Sequence, residues 1–459
     1  MKPGKGVGRI LGIAGLLLVL GVASRGLMGQ QGTPAEKQLQ AWLAAFNSGD
    51  RATLLQFLEK NRPERAKQID DVMEFRNMTG GFELKKIEEV SATEVTALLK
   101  EKDSDQFARL TMEVQEAEPH QITKAELRAG PVPAEFKIAR TGESEVIEGV
   151  KKLAADRATA DKFSGAVAIS KNGKTLFEQA YGLADREKRT PNSVQTQFRM
   201  GSMNKMFTAT SILQLAQAGK LKLTDPVGKY LTDYPNQDIA RKVTIHQLLT
   251  HTGGTGDFFG PEFDKHRLEL KTLQDYVKLY GTRAPEFEPG SKWEYSNYGF
   301  LLLGLIVQKA SGQDYYEYVR EHIFEPAGMT RSDSLPEEQS VPGRSVGYMR
   351  SDDGKSWKPN GDTLPYRGTS AGGGYTTVED LLKFANALRN HKLLDAEYTD
   401  LLTTGHADTP RGMKYAYGFM DNREDGTRWV GHGGGAPGMN GDLRIYPDSG
   451  YVIAVLSNL

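Results

Sequence analysis

Apolar and polar positions along the chain change their rhythm several times, and each change marks an element. Behind Lys2, Lys5 and Arg9 an apolar run extends from Ile10 to Ala23, followed by small residues and the polar Gln30-Gln31-Gly32. Charge, apolar run and small residues in that order predict a secretory signal peptide over residues 1–30. Small residues offer cleavage at Val22-Ala23-Ser24 or Leu27-Met28-Gly29. The run is shorter than the ~20 residues that span a bilayer comfortably, and a short membrane anchor is the alternative. Either places the rest of the chain outside the cytoplasm, periplasmic or extracellular. From Pro34 to Phe46, Leu39, Trp42, Leu43 and Phe46 keep a helical spacing. Asn47-Ser48-Gly49-Asp50 breaks it, and Leu54, Leu55, Phe57 and Leu58 begin a second helix, with a third near Ile69 to Phe75. After Thr79-Gly80-Gly81 the rhythm becomes alternation. Glu94–Leu98 and Phe107–Val114 read as strands joined by the polar turn Lys102–Asp105. Helices followed by an antiparallel sheet predict a small α+β unit over residues 34–130.

Gly130-Pro131-Val132-Pro133 predicts a linker over residues 131–142, because proline fixes the backbone and blocks continuation of helix or strand. A helix is expected over Glu143–Ala155. Next come the apolar Gly165–Ser170, the turn Lys171-Asn172-Gly173-Lys174 and Thr175–Phe177, and Asn-Gly between two apolar runs signals a hairpin. Thr427–Val430, Leu443–Tyr446 and Tyr451–Leu456 read as strands at the far end. Helical patterns lie between, over Asn204–Ala218, Thr244–Leu249, Tyr298–Ala310 and Thr377–Leu388. Residues 143–459 are therefore expected to form an α/β (α+β) domain. One antiparallel sheet would close from both chain termini, flanked by helices and carrying a helical subdomain.

Composition narrows the chemistry. The chain of 459 residues exceeds one domain at roughly 150 residues each. Lys and Arg number 58 against 59 Asp and Glu, which leaves no field to draw nucleic acid. There is no Cys, so thiol catalysis, disulfides and thiolate metal sites are excluded. No metal or other cofactor is expected.

The segment Phe198–Thr208 places Ser202 and Lys205 three positions apart at the start of a helical pattern, hence on one face. A serine needs a base to take its proton, and a desolvated lysine can serve once its pKa falls. The helix N-terminus suits a developing oxyanion. After the Pro289-Gly290 turn, Tyr295-Ser296-Asn297 stands before an apolar helix. A phenol beside a cationic lysine loses its proton more easily, so Tyr295 is expected to titrate below the ~10 of free tyrosine and to act as a base. Asn297 can hold Lys205 or an amide-like substrate. Gly431-His432-Gly433-Gly434-Gly435 follows the strand Thr427–Val430, and glycines there admit a substrate carbonyl close to the backbone.

The three segments resemble the S-x-x-K, Y-x-N and H-x-G set of the serine β-lactamase-related family: class C β-lactamases, low-molecular-weight penicillin-binding proteins, D-aminopeptidases and related esterases. Leu248–Gly254, Phe287–Gly290 and Glu325–Met329 are similar to that family's flanking segments. The resemblance implies a β-lactamase/transpeptidase-like fold over residues 143–459 and a serine hydrolase that works through an acyl-enzyme. Ser202 would be the nucleophile, with Lys205 and Tyr295 sharing the proton work. Asn297, His432, Gly433 and Gly434 would bind substrate, and the N–H groups of Ser202 and Gly435 would form the oxyanion hole. His432 stands where many β-lactamases carry a lysine, which turns expectation away from efficient β-lactam hydrolysis. Relatives normally finish with a helix on the sheet, whereas this sequence stops at Ser457-Asn458-Leu459. Residues 34–130 resemble the cone-shaped ketosteroid-isomerase-like fold and are expected to be an accessory domain.

Rival features take lesser roles. Gly368-Thr369-Ser370-Ala371-Gly372 matches the G-x-S-x-G elbow of another hydrolase fold, but Pro365 spoils the strand that elbow needs, and the next helix begins only at a capping box read at Thr376 and Glu379. A glycine-rich loop near the cleft is expected there. His251 has no second ligand at metal-binding spacing and is expected to stabilise a turn. The partner is expected to be a small-molecule or peptide substrate, cell-wall derived, with D-peptide, ester and β-lactam all open. A non-catalytic sensor or peptidoglycan-binding module is the alternative.

Overall fold

The computed structural model describes residues 32–137, 139–351, 356–410 and 412–459. The expected leader or anchor, residues 1–30, lies outside them. Among the described residues no helix is long and apolar enough to cross a membrane. The chain divides into two compact units between Arg140 and Thr141.

In the first unit, α1 (Pro34–Ser48) starts on a capping box between Thr33 and Glu36 and ends at Gly49, whose left-handed backbone (φ 68°) turns its N–H to the Phe46 carbonyl. Asp50 then caps α2 (Arg51–Asn61) through the Thr53 N–H. After the single turn α3 (Pro63–Ala66), α4 (Ile69–Thr79) stops at Gly80. Four strands follow in the order β1 (Phe82–Val90), β2 (Glu94–Glu101), β3 (Phe107–Val114) and β4 (Ile122–Gly130), each antiparallel to its neighbour. Only β2 and β3 had been expected. The outer pair escaped the pattern because edge strands keep most of their charged side chains in water. Leu39, Phe46, Leu54 and Phe82 lie in the core between helices and sheet.

The second unit begins with α5 (Glu143–Thr159) and the hairpin β5 (Gly165–Lys171) and β6 (Lys174–Tyr181). Asn172 and Gly173 both take positive φ, 50° and 80°, as a tight hairpin turn of this kind requires. The main sheet has eight strands. From one edge they run Ala407–Asp408, Lys414–Tyr415, Met420–Glu424, Thr427–Ala436, Met439–Ile445, Tyr451–Ser457, β5 and β6. The strand Tyr451–Ser457 pairs antiparallel with β5, Ala454 facing Ala168, so sequence-distant segments meet in mid-sheet. Several boundaries differ from expectation, among them the strand Met439–Ile445, expected only from Leu443, and two more need a physical reason. The strand Thr427–Ala436 continues through the glycines instead of stopping at Val430, since pairing with Met439–Ile445 persists to Ala436. The helix Val378–Arg389 is capped by Thr377, which accepts from the Asp380 N–H, one position beyond the expected box.

Helix α6 (Asn204–Gln217) is buried on nearly every face, and its buried Thr208, Thr210 and Ser211 hydroxyls donate to backbone carbonyls. Phe207 meets Phe324 and Phe384 edge-on, with centroids 5.1 and 4.8 Å apart. The apolar helix Asn297–Ser311 is buried from Asn297 to Val307 within the same core. These two rigid helices carry the chemistry described next.

Candidate active site

Ser202 sits in a single 3-10 turn, Gly201–Met203, that leads into α6. Gly201 enters that turn with φ 52°, a conformation that favours glycine. One turn further on, Lys205 is fully buried. Its Nζ lies 3.2 Å from Ser202 Oγ, 2.7 Å from Asn297 Oδ1 and 2.6 Å from the Ala371 carbonyl. Carbonyl oxygens only accept, so two N–H bonds are committed to Asn297 and Ala371. Ser202 is the one neighbour that can donate. As an ammonium Lys205 donates to all three oxygens; once neutral it keeps its two N–H bonds for the carbonyls and turns its lone pair to the Ser202 hydroxyl. Burial drives Lys205 down to about 7, against an opposing attraction from Asp257.

Tyr295 and Asn297 arrive from the N-terminus of the helix Asn297–Ser311, capped by Ser296. The Lys205 Nζ stands 4.7 Å from the centre of the Tyr295 ring, and the phenol hydroxyl meets Ser202. Here the sequence expectation fails. Burial raises the Tyr295 phenol above the ordinary tyrosine range, and its bond to Ser202 only partly offsets this. Desolvation of the buried phenol outweighs any help from its neighbours, so Tyr295 is a neutral phenol at physiological pH.

His251 does more than stabilise a turn. Its backbone takes a left-handed φ of 59°, its carbonyl accepts the Glu294 N–H at 2.9 Å, and its Nδ1 accepts the Ser296 N–H at 3.1 Å. Between these two bonds the Tyr295 ring projects, 4.3 Å from the imidazole. An Nδ1 that accepts fixes the neutral Nε2–H tautomer. Burial, then Lys205 and His432, hold His251 well below its ordinary value.

His432 lies in the strand Thr427–Ala436, its ring 6.3 Å from that of Tyr295. Its Nδ1 donates to the Gly433 carbonyl at 2.5 Å, which leaves Nε2 to accept from the Tyr415 hydroxyl at 3.1 Å. Burial and the Lys205 charge lower it to about 4, with the Gly433 bond opposing. It is thus neutral, and both its nitrogens are occupied. The glycines after it differ in purpose. A Cβ on Gly434 would fall 1.9 Å from the Met200 carbonyl and 3.1 Å from the Ser202 nitrogen, whereas one on Gly435 would meet open space. A Cβ on Gly201 would lie 3.0 Å from the Gly435 nitrogen. The strand is pressed against the turn that carries Ser202, with the two amides at that contact.

The Gly368–Gly372 segment forms a wall. Ala371 supplies its carbonyl to Lys205, and the Gly373 N–H donates to the Gly201 carbonyl at 3.1 Å. Ser370 is fully buried, and its Oγ has no hydrogen-bond partner among the described residues. Three contributors were not singled out in the sequence: the Ala371 carbonyl, Tyr415, and Asp257, which accepts from Asn297 Nδ2 at 2.8 Å. Tyr415 and Asp257 belong to no motif, and Ala371 fills a variable position of the G-x-S-x-G segment. Among the described residues no group of three or more His, Asp or Glu side chains is arranged to hold a metal ion.

The family described as Beta-lactamase matches residues 150–459, two thirds of the chain. The chain belongs to the beta-lactamase family. Within it, the putative penicillin-binding protein PbpX of Bacillus subtilis is 32% identical over 297 residues, 64% of this chain and 70% of that protein. Among solved structures, a penicillin-binding protein from Bacillus halodurans is 35% identical with a TM-score of 0.62, over 66% of this chain and 94% of the other. A D-stereospecific amidohydrolase from Streptomyces is 28% identical with a TM-score of 0.57, over 68% and 94%. The beta-lactamase fold, antiparallel sheet with helices, agrees with that expected, and the family's relatives support serine-hydrolase-type chemistry in general terms.

Proposed function

We propose that the protein is a serine hydrolase that cleaves an amide or ester through an acyl-enzyme on Ser202. The observation that carries this reading is the setting of Lys205, a fully buried amine 3.2 Å from Ser202 Oγ whose other two bonds go to the Asn297 and Ala371 carbonyls. Lys205 takes the Ser202 proton as Oγ attacks the substrate carbonyl carbon. The oxyanion that forms is met by the N–H groups of Ser202 and Gly435. Collapse of the tetrahedral adduct breaks the bond to the amine or alcohol, which leaves with a proton from Tyr295. The proton on Lys205 then restores the phenol by way of water admitted as the leaving group departs, since the acylated Oγ carries no proton. Water then attacks the ester, with the same groups returning a proton to Ser202 Oγ. Asn297, Gly433 and Gly434 line the substrate side, and His432 shapes it as a neutral wall.

The Streptomyces neighbour is a D-stereospecific amidohydrolase, and D-amino-acid amides or peptides, together with short esters, are the substrates we assign. A neutral His432 supplies no cation for a substrate carboxylate, which weighs against efficient β-lactam turnover. We assign the protein to the exported fraction, with residues 34–130 as an accessory domain. A fluorophosphonate should add its mass to the tryptic peptide that contains Ser202, and Ser202→Ala should lower turnover ~10³-fold or more. Labelling at Ser370, or undiminished turnover by Ser202→Ala, would refute the proposal; an intact fold that never labels would decide for the non-catalytic sensor.

A further inference from the structure

An asparagine side chain can turn either its oxygen or its nitrogen toward a neighbour. At Asn297 the choice is forced from outside. The Asp257 carboxylate only accepts, so Asn297 Nδ2 faces Asp257 Oδ2 at 2.8 Å and Oδ1 is left for Lys205 at 2.7 Å. Asp257 is itself held, for its Oδ1 takes the Phe258 N–H at 2.7 Å and its backbone carbonyl takes Arg283 Nη1 at 2.5 Å. Arg283 therefore grips the main chain of this loop and not the carboxylate. The loop also accepts Ser296 Oγ–H at the Gly256 carbonyl, 2.5 Å away, so Asn297 and the residue before it are docked on the same short segment.

We propose that Asp257 is a positioning residue of the active site: its carboxylate locks the Asn297 amide with the carbonyl toward Lys205 and places a negative charge one side chain away from the reacting amine. This rests on Lys205 being the base. Were the amide free to rotate, its NH2 end would face the amine, and the lone pair would turn from Ser202 to Asn297. With the amide locked, the lone pair has Ser202 as its sole outlet. The titratable groups around the pair are Tyr295, Tyr415, His251 and His432 on the Lys205 side, and Arg283 and Glu286 beside the loop. Burial raises the two tyrosines and lowers the two histidines, so these four stay neutral as the amine titrates. Asp257 opposes the loss of the Lys205 proton.

The test uses the full chain, p-nitrophenyl acetate as a neutral ester, and the variants Asp257→Asn and Asp257→Ala. Asp257→Asn keeps an acceptor oxygen for Asn297 and removes the charge. Its kcat/KM should keep the wild-type plateau at high pH, while the midpoint of the rise moves to lower pH by ~1 unit. Asp257→Ala removes the lock as well and should lower the plateau in kcat by ~10–100-fold. A merely structural acid would alter thermal stability and leave the midpoint in place. A substrate contact would raise KM with the midpoint unmoved. Either result in Asp257→Asn, with Ser202 still labelling, overturns the role of Asp257 and leaves the hydrolase reading intact. A wild-type chain that fails to label overturns the hydrolase reading itself.

Discussion

At Lys205 the three hydrogen-bonding directions of an amine are all used, and this fixes what the residue can do. Its ammonium form must lose a proton before Ser202 can give one up. For a neutral ester, kcat/KM is therefore expected to rise with pH through a midpoint of about 7. The same shift has a sign for stability. The folded value lies below the ~10.4 of an exposed lysine, so between those two values the unfolded chain binds the extra proton. This term opposes folding in full below about 7 and fades as pH rises toward 10. Tyr295→Phe should lower kcat by roughly 10²–10⁴-fold and leave the midpoint in place, because the phenol is neutral throughout that range. A variant whose rise disappears would return the base to Tyr295. The grouping of Ser202, Lys205, Tyr295 and Asn297 was legible, since each pair lies within one turn of chain. The protonation of Tyr295 was not, because the sequence displays the neighbouring charge and hides the burial. Asp257 and Ala371 reach the site from 40 and 166 residues away along the chain, at positions with no periodicity to mark them.

At the scale of elements, the strand Thr427–Ala436 and the turn Gly201–Met203 act as one piece. Gly434→Ala drives a methyl group into the Met200 carbonyl, a backbone atom that cannot yield cheaply. It should destabilise the second unit by ~1–3 kcal/mol, read as a lower denaturation midpoint, and lower kcat/KM by at least ~10²-fold. Gly435→Ala meets nothing within 4 Å and should fold with wild-type stability. Equal behaviour of the two variants would deny that the strand abuts the serine turn. The internal strands β2, β3 and β5 were readable from alternation or from apolar runs. The edge strands β1 and β4 were not, since burial on one side was too slight to impose a rhythm. The extension of Thr427–Ala436 through the glycines was hidden for another reason: glycine carries no strand signal, and only the partner Met439–Ile445 holds it in register.

For the whole molecule, every residue assigned to the site belongs to the second unit, Thr141–Leu459. A fragment starting at Thr141 should fold by circular dichroism and hydrolyse a small activated ester at a rate within a few-fold of the full chain. A folded yet inactive fragment would make the first unit part of the machinery. Pro131 and Pro133 mark the expected linker in the sequence, but what the first unit contributes is not legible there, because its conspicuous residues are those of its own core.

The pairing of Tyr451–Ser457 with β5 also governs when the domain can fold. β5 leaves the ribosome nearly three hundred residues before its neighbour, and until that neighbour appears the β5–β6 hairpin has no sheet to join. The second unit of a nascent chain must therefore stay open until Tyr451–Ser457 is made. An unfinished chain thus carries no assembled Ser202–Lys205 pair, however early the first unit closes on its own core.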